Sequence, residues 1–356
     1  MALRDEILEQ PAVARRLIEA GRETVERVAG VLRGRTVDQV VIAARGSSDH
    51  AAIYGQYILG VRNALPVALA APSILSMYGV TPRFRHALVV GISQSGASPD
   101  IVGVIGAARA QGSPTIAITN VPDSPLAAAA EHVLDLRAGT ERSVAATKTY
   151  TAQLIALAML SAALAPTPGD PPVPDPGGEA HGWADLASIP DRLANALGVE
   201  PDVKRIAASH ASIERCIVLG RGFEYATARE WALKLKELAY VSADPYSAAD
   251  FQHGPLALID AGFPVFAIAP GGAAAADLAQ LLERIGSFGA RTLVVSDQAD
   301  LRRLGDDWVA LPPGVPEWLT PITSAVVVQF HAYHLARARG FDPETPRHLR
   351  KVTETT

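Results

Sequence analysis

Ala87-Leu88-Val89-Val90-Gly91-Ile92-Ser93-Gln94-Ser95-Gly96-Ala97-Ser98 is the stretch on which the fold turns. Ala87 to Ile92 is a short apolar run bounded by a glycine and serine turn, which predicts a buried strand rather than a helix. Helical spacing resumes after Ser98. A strand, a tight turn and a helix in succession bring hydroxyls and backbone amides together at a helix N-terminus, a place that suits phosphate. Ser93, Ser95 and Ser98 offer neutral donors, and glycine permits close backbone approach. A capped helix start would need only one serine, so from these residues alone both readings stand.

The same plan surrounds this unit. Val40 to Ala44 is a β-branched run ending in Arg45-Gly46-Ser47-Ser48, after which Ala51 to Leu59 reads as helical. Thr115 to Thr119 and His132 to Leu136 are further strand candidates. Continuous apolar strands separated by helices imply a parallel sheet covered on both faces. Ser47 and Ser48 would then form a second donor loop at the carboxyl edge of the sheet, where ligands of open α/β sheets lie. Ahead of the first strand, Ile7, Val13, Leu17, Ile18, Val25 and Val28 keep helical spacing, interrupted by Pro11, so a short helix and a longer one are expected.

Pro166 to Gly178 is too rich in proline and glycine for helix or sheet and reads as a linker. Beyond it the plan restarts, with a helix over Trp183 to Leu197 and strands at Arg215 to Leu219, Pro264 to Ala269, Thr292 to Ser296 and Trp308 to Leu311. Ala44-Arg45-Gly46 matches Gly220-Arg221-Gly222, and Ser95-Gly96 matches Gly271-Gly272, at one offset of about 176 residues; Thr147 with Thr323 and Gln153 with Gln329 repeat it. Two tandem α/β domains follow: a helical segment over 1–34, a first domain over 35–165, the linker over 166–180, a second domain over 181–338 and a tail over 339–356.

The halves are not equivalent. The second lacks the serine cluster, so only the first looks equipped for phosphate. The second carries a helix from about Ala226 to Tyr240 with Glu230, Lys234, Lys236 and Glu237, then His253-Gly254-Pro255. Lys234 and Glu237 lie three apart on one face, which on an arbitrary helix is more often a surface ion pair of little value. His253 is likewise an ordinary loop residue by position. Lys351, in the tail, either frays with it or closes over a site as an amine or phosphate partner.

Composition narrows the partners. The chain has 356 residues, a formal net charge of -5 and 19% charged residues, so no long-range basic field draws nucleic acid or acidic lipid. A small-molecule ligand fits better. Cys216 is the single cysteine, inside an apolar run, which leaves no disulfide framework or cysteine metal site. No cofactor or metal is called for. The start, Met1-Ala2-Leu3-Arg4-Asp5-Glu6, lacks an apolar export segment, and Leu154 to Ala165 is too short to span a bilayer, so a cytoplasmic protein is expected.

Taken together, Ala44-Arg-Gly-Ser-Ser-Asp-His50, Ile92-Ser-Gln-Ser-Gly96, Val144-Ala-Ala-Thr-Lys148, Gly220-Arg-Gly222, Leu233-Lys-Leu-Lys-Glu237 and His253-Gly-Pro-Leu-Ala-Leu258 resemble the sugar isomerase (SIS) domain family. More narrowly they resemble the isomerase half of glucosamine-6-phosphate synthase and the SIS-type glucosamine-6-phosphate deaminases. The resemblance runs from Glu6-Ile-Leu-Glu-Gln-Pro11 to the tail. It implies two flavodoxin-like three-layer α/β/α domains and a homodimer. It also implies that Ser47, Ser48, Ser93, Gln94, Ser95 and Ser98, with backbone from Val144 and Ala145, bind the sugar phosphate and hydroxyls. Glu237 would move a proton between C1 and C2 with Lys234 beside it; His253, from a neighbouring subunit, would assist ring opening; Lys351 would lie at the sugar carbonyl.

Two departures shape the expected reaction. Synthases carry a glutaminase domain with a terminal cysteine nucleophile, absent from these residues, so deamination of glucosamine 6-phosphate to fructose 6-phosphate and ammonia is the leading expectation. Ala146 stands where synthases have serine. A fructosamine-6-phosphate deglycase, an enzyme of galactosamine phosphates and a glutaminase-lacking synthase-like isomerase use the same chemistry. A sugar-phosphate-sensing regulator is the alternative of another class, but the roughly 35 residues before the first strand leave little room for a DNA-binding domain.

Overall fold

The computed structural model describes residues 2–165 and 182–351. The proline-rich linker expected over 166–180 lies outside the described residues, as does the tail beyond Lys351. Packing divides the chain into two compact units, one of Met1–Pro11, Arg142–Thr147 and Ile189–Leu349, the other of Ala12–Glu141, Lys148–Ser188 and Arg350–Thr356.

The second of these holds a parallel five-stranded sheet built from β1 Gln39–Ala43, β2 Val67–Leu69, β3 Ala87–Ser93, β4 Thr115–Thr119 and β5 His132–Asp135, in the order β2-β1-β3-β4-β5. Every residue of β3 and β4 is buried, as their unbroken apolar runs require of central parallel strands. The other unit holds β6 Arg215–Gly220, β7 Ser242–Ser247, β8 Pro264–Ile268, β9 Arg291–Ser296 and β10 Asp307–Ala310, all parallel. Their order is β10-β9-β8-β6-β7. Counted from its own first strand, this is the order of the first sheet, so the repeat seen as a sequence offset is a repeat of topology. Helices cover the sheets, giving each unit the three-layer α/β/α architecture.

Two strands lie outside the apolar runs expected from the sequence. Val67–Leu69 is only three residues long, and Ser242–Ser247 reads Ser-Ala-Asp-Pro-Tyr-Ser. Both are edge strands, where a polar face and a proline are tolerated because one side needs no partner. At the start of the chain the expected pair of helices is Ala2–Leu8 and Gln10–Arg33. Pro11 does not interrupt the longer one but lies in its first turn, where its missing N–H costs nothing.

Two helix boundaries differ from expectation for local reasons. The helix expected over Ala51 to Leu59 runs from Ser47 to Asn63. Gly46, at φ +56°, turns the chain so that Asp49 and His50 already donate to the carbonyls of Arg45 and Gly46. Ser47 and Ser48 are therefore helical residues, not turn residues. The helix expected to continue to Tyr240 is α-helical over Glu224–Lys234 and widens to a π-helical turn over Leu235–Ala239, ended by Tyr240 at φ +53°. Such a widened turn is rare and recurs at functional sites.

Candidate active site

In the first-sheet unit, the loops after β1 and β3 lie at the carboxyl edge of adjacent strands. The Arg45 guanidinium donates to Asp100 Oδ2 from Nε at 3.0 Å and lies 2.9 Å away through Nη2. Asp100, buried in the first turn of the helix Pro99–Ala110, thus ties one loop to the other. Fifty-five positions separate the pair, and neither residue type announces it.

The serine loop keeps its hydroxyl hydrogens available for an incoming acceptor. Ser93 Oγ accepts from Gly96 N at 3.1 Å and Ser95 Oγ accepts from Ala97 N at 3.3 Å. A hydroxyl whose oxygen already accepts still has its own hydrogen to donate. Gln94 stays half-buried between them, while its carbonyl accepts from Asn120 N at 3.2 Å. Ser98 precedes the helix in an extended conformation without bonding its own helix, so its side chain is not consumed as a cap. Gly96 has φ +62°, and a Cβ there would collide with the Ser124 hydroxyl. Glycine is the residue this turn accepts. Ser48 is buried and accepts from Gln153 Nε2 at 2.9 Å, while Ser47 stays half-buried beside it.

Val144 and Ala145 lie in the other unit. Their segment is held from the short helix Ala2–Leu8, where buried Glu6 accepts from the backbone N–H groups of Arg142 and Ser143, the latter at 3.3 Å. Glu6 was not among the expected site residues; its only sequence sign is a carboxylate on an otherwise buried helix face.

The helix Glu224–Lys234 and its π-helical extension carry the charged centre of the second-sheet unit. Lys234 is only 1% exposed, with Nζ 3.2 Å from Glu230 Oε1 and 2.6 Å from Glu237 Oε2. Glu230 has no exposed side-chain surface, whereas Glu237 keeps 21%. The surface ion pair of an arbitrary helix is therefore not what forms. Burial alone would lower the Lys234 pKa, but the two carboxylates more than offset it and raise it above the ordinary lysine value. Lys234 is a fixed cation, and Glu237 is the member of the triad that reaches solvent.

Behind this helix lies a chain of aromatic donors and acceptors. Trp231 Nε1 donates to His331 Nδ1 at 3.1 Å, the other His331 nitrogen lies 3.3 Å from His210 Nδ1, and His210 Nε2 lies 3.3 Å from Asp307 Oδ2. Indole N–H can only donate, so His331 carries its hydrogen on Nε2 and His210 on its Nε2. Both rings are neutral in this arrangement. Burial, reinforced by His210, holds His331 well below its ordinary pKa, and burial lowers His210 despite Asp307. Cys216, on β6, is buried, and burial pushes its thiol pKa up.

His253 is exposed, at the end of a turn where its N–H donates to the Asp250 carbonyl at 3.0 Å, ahead of Gly254 at φ +132°. In the tail, Arg347 stacks over Tyr240 at 4.4 Å and its N–H donates to the Tyr240 hydroxyl at 2.9 Å. Lys351, counted with the first-sheet unit, donates to Glu141 Oε2 at 2.7 Å.

The second sheet's counterpart of the serine loop is already filled. Gly271 N donates to Asp297 Oδ1 at 2.8 Å and Ala273 N donates to Glu317 Oε2 at 3.0 Å. Carboxylates of the chain occupy amides that in a phosphate loop would face the ligand. Among the described residues, no cluster of three or more His, Cys, Asp or Glu side chains could hold a metal ion, and no helix is long and apolar enough to cross a membrane.

Topology and loops define a tandem α/β protein with a serine-rich loop after β3 and a second glycine loop whose amides are taken by the chain's own carboxylates. The SIS domain profile matches residues 35–163 and 211–339, at the spacing that separates Gly46 from Gly222, and the chain belongs to this family. It is 36% identical over 350 residues to the glutamine–fructose-6-phosphate aminotransferase (isomerizing) of Methanothermobacter thermautotrophicus, covering 97% of this chain but 56% of the relative. The chain therefore spans little more than half of that relative's length. A candidate phosphosugar isomerase from Silicibacter pomeroyi shares 35% identity at a TM-score of 0.84, over 96% of this chain and 99% of that one. The C-terminal domain of glucosamine-fructose-6-phosphate aminotransferase from Francisella tularensis shares 26% identity at a TM-score of 0.86, covering 97% and 98%.

Proposed function

We propose that the chain is an aldose–ketose isomerase of hexose 6-phosphates that converts glucosamine 6-phosphate to fructose 6-phosphate and ammonia. The observation that carries this reading is the partly exposed Glu237 carboxylate held 2.6 Å from a buried, permanently charged lysine. Family membership and the names of its relatives supply the substrate class.

In this reading the serine loop takes the phosphate through Ser93, Ser95 and Ser98 together with Ser47 from the helix start after β1, with Ser48 and Gln94 completing the cradle and the Val144 and Ala145 backbone contacting the sugar. His253, contributed by a second copy in a homodimer, assists ring opening. Glu237 removes the C2 proton of the open aldose and returns it at C1, leaving an imine at C2. Water adds to that imine, the carbon–nitrogen bond breaks, and ammonia leaves from a ketose. Lys351 donates to the sugar carbonyl oxygen. The Lys234 ammonium holds the Glu237 carboxylate in place without itself exchanging protons. The domain division at 35–165 and 181–338 belongs to the same reading.

The test is ammonia release from glucosamine 6-phosphate, with galactosamine and fructosamine 6-phosphates alongside. Turnover of glucosamine 6-phosphate that Glu237→Gln abolishes supports the reading; turnover of another substrate moves the assignment to it. The names of the aminotransferase relatives favour a second reading, in which the same groups aminate fructose 6-phosphate; formation of glucosamine 6-phosphate from fructose 6-phosphate and an ammonia donor tests it. Tight phosphosugar binding without turnover in either direction would point to sensing.

A further inference from the structure

Glu141 lies between β5 and the helix Lys148–Ala163, and its side chain has no exposed surface. Its Oε1 accepts from Thr149 N at 3.1 Å, and its Oε2 accepts from Thr149 Oγ1 at 2.7 Å and from Lys351 Nζ at 2.7 Å. The first two bonds cap the start of a helix in which every residue is buried. A cap alone could be provided by an exposed Ser or Asp. A fully buried carboxylate is costly unless charge answers it, and one such charge comes from Lys351, 210 positions away.

The two partners differ in rigidity. Glu141 is clamped by two bonds to a buried helix, whereas Lys351 stands on a flexible four-carbon stem near the chain end, with 27% of its side chain exposed. The buried member orients the more exposed one. We infer that Glu141 is a positioning residue that holds the Lys351 ammonium, and with it the end of the described tail, in place for the sugar carbonyl; the inference rests on the role proposed for Lys351 above. One ammonium hydrogen goes to Glu141, and a lysine's three donors allow the same nitrogen to serve a substrate oxygen. A tail lysine without such an anchor would have to be ordered at each turnover.

The experiment compares Glu141→Gln, Glu141→Asp, Lys351→Met and the double variant Glu141→Gln/Lys351→Met in the full chain. Glu141→Gln keeps the shape and one acceptor oxygen but removes the charge. It should lower kcat on the phosphosugar that is turned over by about 10- to 100-fold, the loss expected from a misplaced group, with KM within about 3-fold because the serine loop is untouched. Glu141→Asp, which retains the charge, should recover part of that loss. The double variant should be no slower than Lys351→Met alone. A Glu141→Gln kcat within about 2-fold of the parent, beside an impaired Lys351→Met, overturns the positioning role and leaves the proposed reaction standing.

Limited trypsin digestion reads the latch without activity. Cleavage after Arg350 should become about tenfold faster in Glu141→Gln and in Lys351→Gln, the latter leaving Glu141 and its Thr149 bonds intact should the former fail to fold. An unchanged cleavage rate in folded variants overturns the inference. If no phosphosugar is turned over by the parent chain, the proposed reaction fails and the digestion alone decides the latch.

Discussion

The Lys234 ammonium stands 2.6 Å from the Glu237 carboxylate, on the turn where an α-helix widens by one residue. Its other carboxylate partner, Glu230, is wholly buried, so Lys234 answers two negative charges and only Glu237 is open to solvent. Lys234→Met removes the buried cation that Glu230 and Glu237 both face. It should destabilise the chain by about 3–5 kcal/mol, read as a lower urea midpoint.

Glu237→Gln should behave differently. The carboxylate is partly exposed and Lys234 keeps Glu230, so the urea midpoint should move little, while turnover should fall by about 10²- to 10⁴-fold, the usual worth of a general base. Full turnover by a folded Glu237→Gln would remove Glu237 from the chemistry.

Gly96→Ala should damage the phosphate loop selectively. The left-handed φ and the Ser124 hydroxyl in the place of a Cβ leave no room without moving the loop. Stability should drop by about 1–3 kcal/mol, and KM for the phosphosugar should rise at least tenfold, measured by urea titration and initial rates.

The aromatic chain makes stability depend on pH near neutrality. His331 and His210 have pKa values lowered in the folded chain, so the unfolded chain binds more protons between those values and about 6.5. Their contribution is complete above about pH 6.5 and is lost as pH falls through the folded values. Buried Glu224, whose pKa burial raises, acts with the opposite sign, losing stability as pH rises from the ordinary carboxyl range. Comparing the melting temperature of the parent chain with that of His210→Asn between pH 5 and 7.5 isolates the histidine part. The parent should lose more on acidification; parallel curves would refute the assignment.

One phosphosugar should bind per chain, because Asp297 and Glu317 fill the amides of the second glycine loop. Titration calorimetry with fructose 6-phosphate should give a stoichiometry near one, and two equal sites would contradict the filled loop.

Strand and helix periodicity, the 176-residue offset and the serine loop were legible in the sequence because each is a local pattern: apolar runs, spacing and glycine turns. Ser242–Ser247 was not, since an edge strand is selected by its neighbour's open hydrogen bonds and not by its own side chains. The i,i+3 spacing of Lys234 and Glu237 told which face they share, but whether that pair was a solvated ornament or a buried triad depended on what packs over the helix. Arg45 with Asp100, Glu6 with the Ser143 amide, Trp231 through to Asp307, and Lys351 with Glu141 join residues far apart in the chain. Charge and hydrogen-bonding capacity are written in the sequence; whether they are desolvated, and by whom they are answered, is decided only when the chain has folded and water has been excluded.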